Sequence, residues 1–270
     1  MNKNIIFFLL LLSCTCHAQY SVANDRKKSQ DSLIEKYLTN GAQHYNYNYQ
    51  MAEWQRCLDE GLAKDSTVAR LWQEKAMPYF KARKYEIGMG FIDKAVRFDR
   101  KNWLPYRGFI KCIFSKQYND AITDFQAAKT AFGNDYIMDH TYNFYIALCY
   151  LQRNEYMQAK ILLKQDVDAM FQKNGEAWVN PTSLFYYGIA MYELTEYADA
   201  ITIFNRALVQ YEHFSDAKYY KAICLARLDG SQDEIKNLIK ESREDAQKGY
   251  TIGEYNTVYE TYPYQQKWQD

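Results

Sequence analysis

The feature that most constrains the fold is a motif that recurs about every 34 residues. In four stretches a tyrosine is followed by a small residue three positions on and by an apolar residue four positions further: Tyr85/Gly88/Ile92, Tyr118/Ala121/Phe125, Tyr156/Ala159/Leu163 and Tyr197/Ala200/Phe204. The steps between the tyrosines are 33, 38 and 41 residues. Small residues at helical spacing allow two helices to approach closely. One helical hairpin cannot bury its apolar face alone, so the pattern predicts hairpins that stack on their neighbours.

Each motif is preceded by a second helical stretch with its own apolar pattern, as in LFYYGIAMYEL (184–194). Two helices repeated at this period resemble the tetratricopeptide repeat (TPR). The resemblance implies an all-α protein, a right-handed α-solenoid of about five to six helical hairpins over residues 36–248. The first hairpin, about 36–65, matches poorly and is interpreted as an N-terminal cap, and a weaker fifth repeat covers 219–239.

In TPR arrays the first helix of each hairpin lines a concave groove that binds a peptide or a helix of a partner. Carried over to this chain, the groove positions combine aromatic and cationic residues: Arg70, Phe80 and Lys81 from repeat one, Arg107, Lys111 and Phe114 from repeat two, Phe144, Tyr145 and Leu148 from repeat three, Phe185, Tyr186, Tyr192 and Glu193 from repeat four, and Tyr219, Tyr220 and Arg227 from repeat five. Aromatic and arginine side chains are enriched in binding hot spots. The alternative is that many of them are packing residues or scattered surface aromatics.

Charge is unevenly distributed along the chain. Residues 70–129 carry a net charge of +7 and residues 130–270 a net charge of −7, while the whole chain is neutral. The default interpretation is that these charges lie on solvated helix faces. The alternative is that a partner protein has an acidic segment that lies against repeats one and two. The neutral total gives no general attraction to nucleic acid, so no nucleic-acid partner is expected.

The N-terminus has the pattern of an export signal. Its apolar run from Ile5 to Leu12 is too short to span a bilayer and fits the core of a signal peptide over residues 1–18. Cleavage before Gln19 gives a soluble mature chain with no membrane span. Alternatively, Cys14 follows a lipobox-like sequence and becomes a lipidated N-terminus. The stretch from Gln19 to Gln30 is polar and aperiodic, which predicts a flexible leader over residues 19–35.

Four cysteines remain after the signal sequence: Cys57, Cys112, Cys149 and Cys224. First helices of adjacent hairpins lie about 8–10 Å apart, whereas a disulfide needs Cα atoms within about 7 Å. Free buried thiols are therefore predicted, although an oxidising compartment favours disulfides in general. The sequence contains no CxxC pair, so neither a metal site nor another cofactor is predicted.

The last 22 residues, 249–270, leave the repeat pattern and are rich in aromatic side chains. We call them the tail. Open solenoid ends need a cap, which favours packing against the last hairpin. Two alternatives are that the tail folds into the groove as an internal ligand, or that it is itself a recognition segment. Helix starts are predicted at Asn180 and at Ser215–Asp216, because these residue types favour N-terminal capping positions.

Function follows from what the chain has and lacks. Nucleotide-binding loops, HExxH and GxSxG motifs are absent from the sequence, so no catalytic residue is predicted. The interpretation is a non-catalytic scaffold or adaptor in the envelope of a Gram-negative bacterium, in the periplasm or associated with the outer membrane, that binds a segment of another protein. The alternatives are an immunity-like protein that neutralises a secreted toxin and an accessory subunit of an envelope enzyme complex.

Overall fold

The structure is a computed structural model that describes residues 24–268. The signal peptide and Cys14 lie outside the described residues. Within the described part, twelve α-helices pack in antiparallel pairs. The chain divides into two compact units, of which the N-terminal unit ends at Trp103 and the C-terminal unit begins at Leu104.

The five predicted repeats are five helical hairpins. Their first helices are α3 (Ala69–Lys81), α5 (Arg100–Phe109, continued by a π-helical turn Ile110–Phe114), α7 (Tyr142–Gln152), α9 (Pro181–Glu193) and α11 (Ser215–Arg227). Their second helices are α4 (Tyr85–Phe98), α6 (Tyr118–Phe132), α8 (Tyr156–Asn174), α10 (Tyr197–Gln210) and α12 (Gln232–Gln247). Short non-helical or 3-10 elements are β1 (Tyr136–Ile137), paired antiparallel with β2 (His140–Thr141), and the 3-10 turns Ala42–His44, Glu176–Trp178 and Tyr255–Val258. The described helices include none that is both long and apolar enough to cross a membrane.

The N-terminal unit begins with a helix where the sequence predicts a flexible leader. Residues 24–34 form helix α1, which continues as a π-helical turn over Glu35–Thr39 and packs against α2 (Met51–Lys64). Leu33 and Ile34 lie against a buried cluster that includes Leu58. Polar side chains add to this contact, since Arg26 and Gln30 donate hydrogen bonds to side chains of residues 65–67. Apolar and polar contacts together order a stretch whose composition is largely polar.

The repeated tyrosines occupy the same place in the four hairpins that have the motif, as the motif predicts. Each is half-buried and is the first residue of its second helix, α4, α6, α8 or α10. Two residues earlier, the turn between the helices has a residue in the left-handed conformation: Arg83, Lys116, Asn154 and Thr195, with φ between 56° and 61°. One turn geometry therefore reverses the chain in four successive hairpins.

Glycines set how closely the two helices of a hairpin approach. A Cβ on Gly88 of α4 would overlap the ring of Phe80 on α3, and a Cβ on Gly188 of α9 would overlap the ring of Phe204 on α10. In hairpin two, the ring of Phe125 lies 3.1 Å from the position of a Cβ on Gly108. Because an aromatic ring takes the space of the missing side chain, these glycines are packing positions.

Cap predictions are confirmed at one of two sites. The Asn180 side chain accepts hydrogen bonds from the backbone N–H groups of Thr182 at 2.8 Å and Ser183 at 3.3 Å, so it caps α9. The first turn of α11 has no side-chain cap, because residue Phe214 holds the N-cap position. Ser215 and Asp216 are the first two residues inside the helix, and the Asp216 carboxylate has other partners.

All four described cysteines are free, as predicted, and Cys112, Cys149 and Cys224 are buried. Burial raises the pKa of Cys224 to about 12, and it also raises the pKa of Cys149. The thiolate is the reactive form of cysteine, so Cys149 and Cys224 are protected from reaction both by burial and by their raised pKa values.

We predict that Gly88→Ala destabilises the protein by about 1–3 kcal/mol, because the added methyl overlaps the Phe80 ring. Gly90→Ala is the matched control on the same helix. A Cβ there meets nothing within 4 Å, so it should stabilise α4 by about 0.5–1 kcal/mol through helix propensity. Urea unfolding followed by circular dichroism measures both, and equal effects of the two substitutions would contradict the packing role of Gly88.

We also predict that iodoacetamide at about pH 8 labels Cys57 in the folded protein but spares Cys112, Cys149 and Cys224. Cys57 is half-buried, whereas the other three thiols are enclosed. Peptide mapping by mass spectrometry before and after denaturation gives the labelled positions. Rapid native labelling of Cys224, or a disulfide in the untreated protein, is the result that this packing does not allow.

Candidate functional site

Five of the aromatic residues predicted to line the groove lie in the core instead. Their side chains are at most 5% exposed: Phe80, Phe114, Phe144, Tyr145 and Phe185. Phe80 packs on Gly88, and in the C-terminal unit Tyr145 stacks on Phe125 with ring centroids 5.4 Å apart. One side of each first helix packs against the second helix of its own hairpin. The family's groove positions, applied to this sequence, do not distinguish residues on that packed side from residues on the opposite side.

Four of the five predicted cationic residues are held by carboxylates or a hydroxyl of the fold, and the fifth, Arg227, is exposed. In the N-terminal unit, Arg70 pairs with Glu74 at 2.6 Å and Lys81 donates to the Tyr47 hydroxyl at 2.6 Å. In the C-terminal unit, two cations converge on one carboxylate: Arg107 and Lys111 lie 2.6 and 2.9 Å from oxygens of Asp124. That carboxylate is nearly buried, so the cluster ties α5 and its π-helical extension to α6 within hairpin two.

The remaining predicted tyrosines border a surface that the tail covers. We define the first-helix face as the part of the C-terminal unit that contacts the tail: Lys116, His140, Tyr186, Glu193, Asp216, Tyr219 and Tyr220. Most of these residues lie on the first helices α9 and α11, while His140 lies in β2 just before α7 and Lys116 lies in the turn between the helices of hairpin two. Tyr192 borders this face through an edge-on contact with Tyr220. The tail crosses this face out and back, without forming a helix longer than the turn Tyr255–Val258.

The Asp216 carboxylate anchors both ends of this crossing. Its Oδ2 accepts hydrogen bonds from the Thr251 hydroxyl at 2.6 Å and from the backbone N–H of Ile252 at 3.1 Å. Its Oδ1 accepts from the backbone N–H of Gln266 at 2.6 Å. Asp216 is fully buried, and burial raises the pKa of its carboxyl while the hydrogen bonds from Thr251, Gln266 and Ile252 oppose the rise.

Between these anchors, polar side chains of the face bind the tail farther from α11. The Tyr186 hydroxyl donates to the carbonyl of Pro263 at 2.9 Å, and the Lys116 ammonium donates to the carbonyl of Thr261 at 3.0 Å. Burial lowers the pKa of Lys116, which the charge of Glu260 partly offsets. The tail therefore reaches from the start of α11 to the turn between the two helices of hairpin two.

A buried histidine–carboxylate pair joins the tail to hairpin three. The imidazole Nε2 of His140 lies 2.6 Å from a carboxylate oxygen of Glu254, and both side chains are at most 6% exposed. The His140 ring also stacks on Phe144, with ring centroids 3.7 Å apart. Either group, buried without its partner, would be destabilising. The pair therefore favours the one position of the tail in which Glu254 meets His140.

Aromatic contacts complete the docking at the last hairpin. Tyr264 meets Tyr220 edge-on with ring centroids 6.0 Å apart, and Trp268 meets Tyr219 edge-on at 5.6 Å. The Arg243 guanidinium lies over the Trp268 ring at 5.0 Å. Burial raises the pKa of Tyr264, and a hydrogen bond to Glu193 raises it further.

Tyr186, Glu193, Tyr219 and Tyr220 of the first-helix face are groove candidates from the sequence, whereas Lys116, His140 and Asp216 are not. The tail as an internal ligand is one of three alternatives. Asp216 is expected at a helix cap, since capping is the usual role of aspartate at a helix start. The hydrogen-bond partners of Asp216 lie 36 and 50 residues away in the sequence, and no local sequence pattern predicts such distant contacts.

We predict that Asp216→Asn loosens the tail. The amide nitrogen of the introduced asparagine side chain cannot accept a hydrogen bond, so at least one tail donor loses its partner, at a cost of about 1.5–3 kcal/mol for a bond to a charged group. Amide hydrogen exchange at Ile252 and Gln266 should then accelerate about tenfold or more. Asp199→Asn, at an exposed position of α10, is the control that should leave the exchange unchanged, and unchanged exchange in both variants would rule out the anchoring role.

Searches with the sequence find no matching family model and no matching curated protein. Solved structures do match. PilW, described as a widely conserved type IV pilus biogenesis factor, aligns with a TM-score of 0.59 at 14% identity over 82% of this chain and 94% of its own. PilF of Pseudomonas aeruginosa gives 0.58 at 15% identity over 82% and 94%. YrrB, described as a TPR protein with an unusual peptide-binding site, gives 0.51 at 15% identity over 70% and 91%. These likenesses concern the fold, and with the repeated hairpins they show that the chain has the architecture of a tetratricopeptide-repeat protein, a helical solenoid.

Proposed function

We propose that this protein is a non-catalytic adaptor of the bacterial cell envelope that binds an extended segment of a partner protein on the first-helix face. The observation that carries the proposal is the docked tail. A stretch of chain with almost no regular structure lies on that face and is held by hydrogen bonds, a histidine–carboxylate pair and ring contacts. A surface that binds one such segment has the chemistry to bind another.

Similar structures support a role in protein binding. YrrB is described as having a peptide-binding site, and PilW as a pilus biogenesis factor. The polar groups of the first-helix face also favour binding over catalysis, because each of them serves to hold the tail. Within residues 24–268, no group of three or more His, Cys, Asp or Glu side chains is placed to hold a metal ion.

The envelope location is supported by the export pattern at residues 1–18 and by the pilus-related description of PilW. An acidic partner segment at repeats one and two stays a prediction. There Arg70 and Arg107 already pair with Glu74 and Asp124, so such a segment would have to compete with these carboxylates.

Site-specific photo-crosslinking tests the proposed surface. A benzoylphenylalanine placed at Tyr219, on the face, should give a covalent adduct with a second envelope protein in living cells. The same probe at Val209 is the control, since Val209 lies on a second helix and is 82% exposed. Adducts of equal yield from both positions, or none from either, would contradict binding at the first-helix face.

The mass of the mature N-terminus tests the location. Export with cleavage before Gln19 predicts an envelope protein whose first residue is Gln19, whereas lipidation predicts a diacyl or triacyl mass on Cys14. Either result supports the envelope assignment. A chain that keeps residues 1–18 and fractionates with the cytoplasm would contradict it.

A further inference from the structure

We propose that the tail is a displaceable internal ligand, and that the partner segment it competes with is an extended, aromatic-rich stretch of polypeptide. The inference rests on the proposed function, because it names what the first-helix face selects and what occupies the face before a partner arrives. It draws on the chemistry of the docked tail, residue by residue.

The first class of contact recognises main chain. Asp216 accepts from two backbone N–H groups, Tyr186 donates to the carbonyl of Pro263, and Lys116 donates to the carbonyl of Thr261. Every extended polypeptide presents such N–H and carbonyl groups. These contacts therefore give affinity for an unfolded segment without specifying its sequence.

The second class of contact selects aromatic side chains. Tyr264 lies edge-on to Tyr220, and Trp268, four residues later, contacts both Tyr219 and the Arg243 guanidinium. Because ring pairs and cation–π contacts add affinity beyond simple burial, they reward aromatic side chains in particular. A competing segment with aromatic residues at a matching separation gains these contacts, and a segment without them does not.

The way the tail is attached allows it to leave without unfolding a hairpin. Helix α12 ends before Gly249, which adopts φ +85° and begins the tail. The tail then forms a loop that closes on Asp216 at Ile252 and Gln266, and in the middle of this loop Tyr255 is 87% exposed. No contact within a helical hairpin has to break for this loop to open.

A tethered ligand lowers the apparent affinity of an outside one. The tail is held near the face at a high effective concentration, so a partner binds only to the fraction of molecules in which the tail is open. Weakening the tail should therefore strengthen binding of a second segment, which is the opposite of what damage to a fixed cap would do.

The test uses the full chain and a labelled synthetic peptide of residues 250–268. Binding is measured by fluorescence anisotropy to the unmodified protein, to the double variant Tyr264→Ala, Trp268→Ala, and to the control Tyr255→Ala, which removes an exposed tyrosine of the same tail. We expect the double variant to bind the peptide at least about tenfold more tightly than the other two proteins, because its own tail competes less. A peptide that itself has alanine at positions 264 and 268 should lose at least about tenfold in affinity for the double variant.

Hydrogen exchange at Ile252 and Gln266 verifies that the double variant has released its tail, and Gln266→Pro, which removes a donor to Asp216, is a second way to release it. If the tail is released and the peptide binds none of the proteins, or binds all of them equally, displacement is excluded and the tail is a fixed cap. That outcome leaves the crosslinking test of the proposed function unaffected. A peptide whose affinity does not depend on its aromatic residues would overturn the predicted partner chemistry.

Discussion

Docking of the tail on the C-terminal unit depends on how one buried carboxylate is satisfied. Asp216 lies fully buried in the first turn of α11, where an unpaired charge would cost several kcal/mol. Its hydrogen bonds from other segments come from the tail, through Thr251, Ile252 and Gln266. Since no cation pairs with it within the described residues, docking of the tail and burial of Asp216 depend on each other. The same group that orders the end of the chain thereby determines which surface the tail covers.

Three of the five hairpins share one packing feature. In hairpins one, two and four, an aromatic ring of one helix lies against a glycine of the other: Phe80 on Gly88, Phe125 on Gly108 and Phe204 on Gly188. The four left-handed turn residues then reverse the chain at equivalent points. In the C-terminal unit, this scaffold brings α9, α11 and the turn of hairpin two to one face, so a single extended segment contacts Lys116, Tyr186 and Asp216 in turn.

The sequence predicts the scaffold well because its signals are local and repeated. Tyr118, Tyr156 and Tyr197 each begin a second helix, and the free cysteines are where the hairpin register puts them. The site is less predictable. Tyr145 packs in the hairpin core and Tyr186 contacts the tail, although both lie on first helices and both are fully buried. The position of a tyrosine in a first helix therefore does not reveal which of the two roles it has. Contacts such as His140 with Glu254 join residues 114 positions apart, and no short pattern encodes them. Residues 24–34 show the converse error, since the apolar contacts of Leu33 and Ile34 and side-chain hydrogen bonds to residues 65–67 order a largely polar stretch.

The protein is thus a repeat scaffold whose first-helix face is filled by its own C-terminal tail. Docking of the tail is tested most directly by nuclear Overhauser measurements on the full chain with labelled aromatic side chains. Cross-peaks between the rings of Tyr264 and Tyr220, and between Trp268 and Tyr219, should appear, because the ring centroids are 6.0 and 5.6 Å apart. Tail resonances at random-coil positions, without cross-peaks to α11, would contradict it.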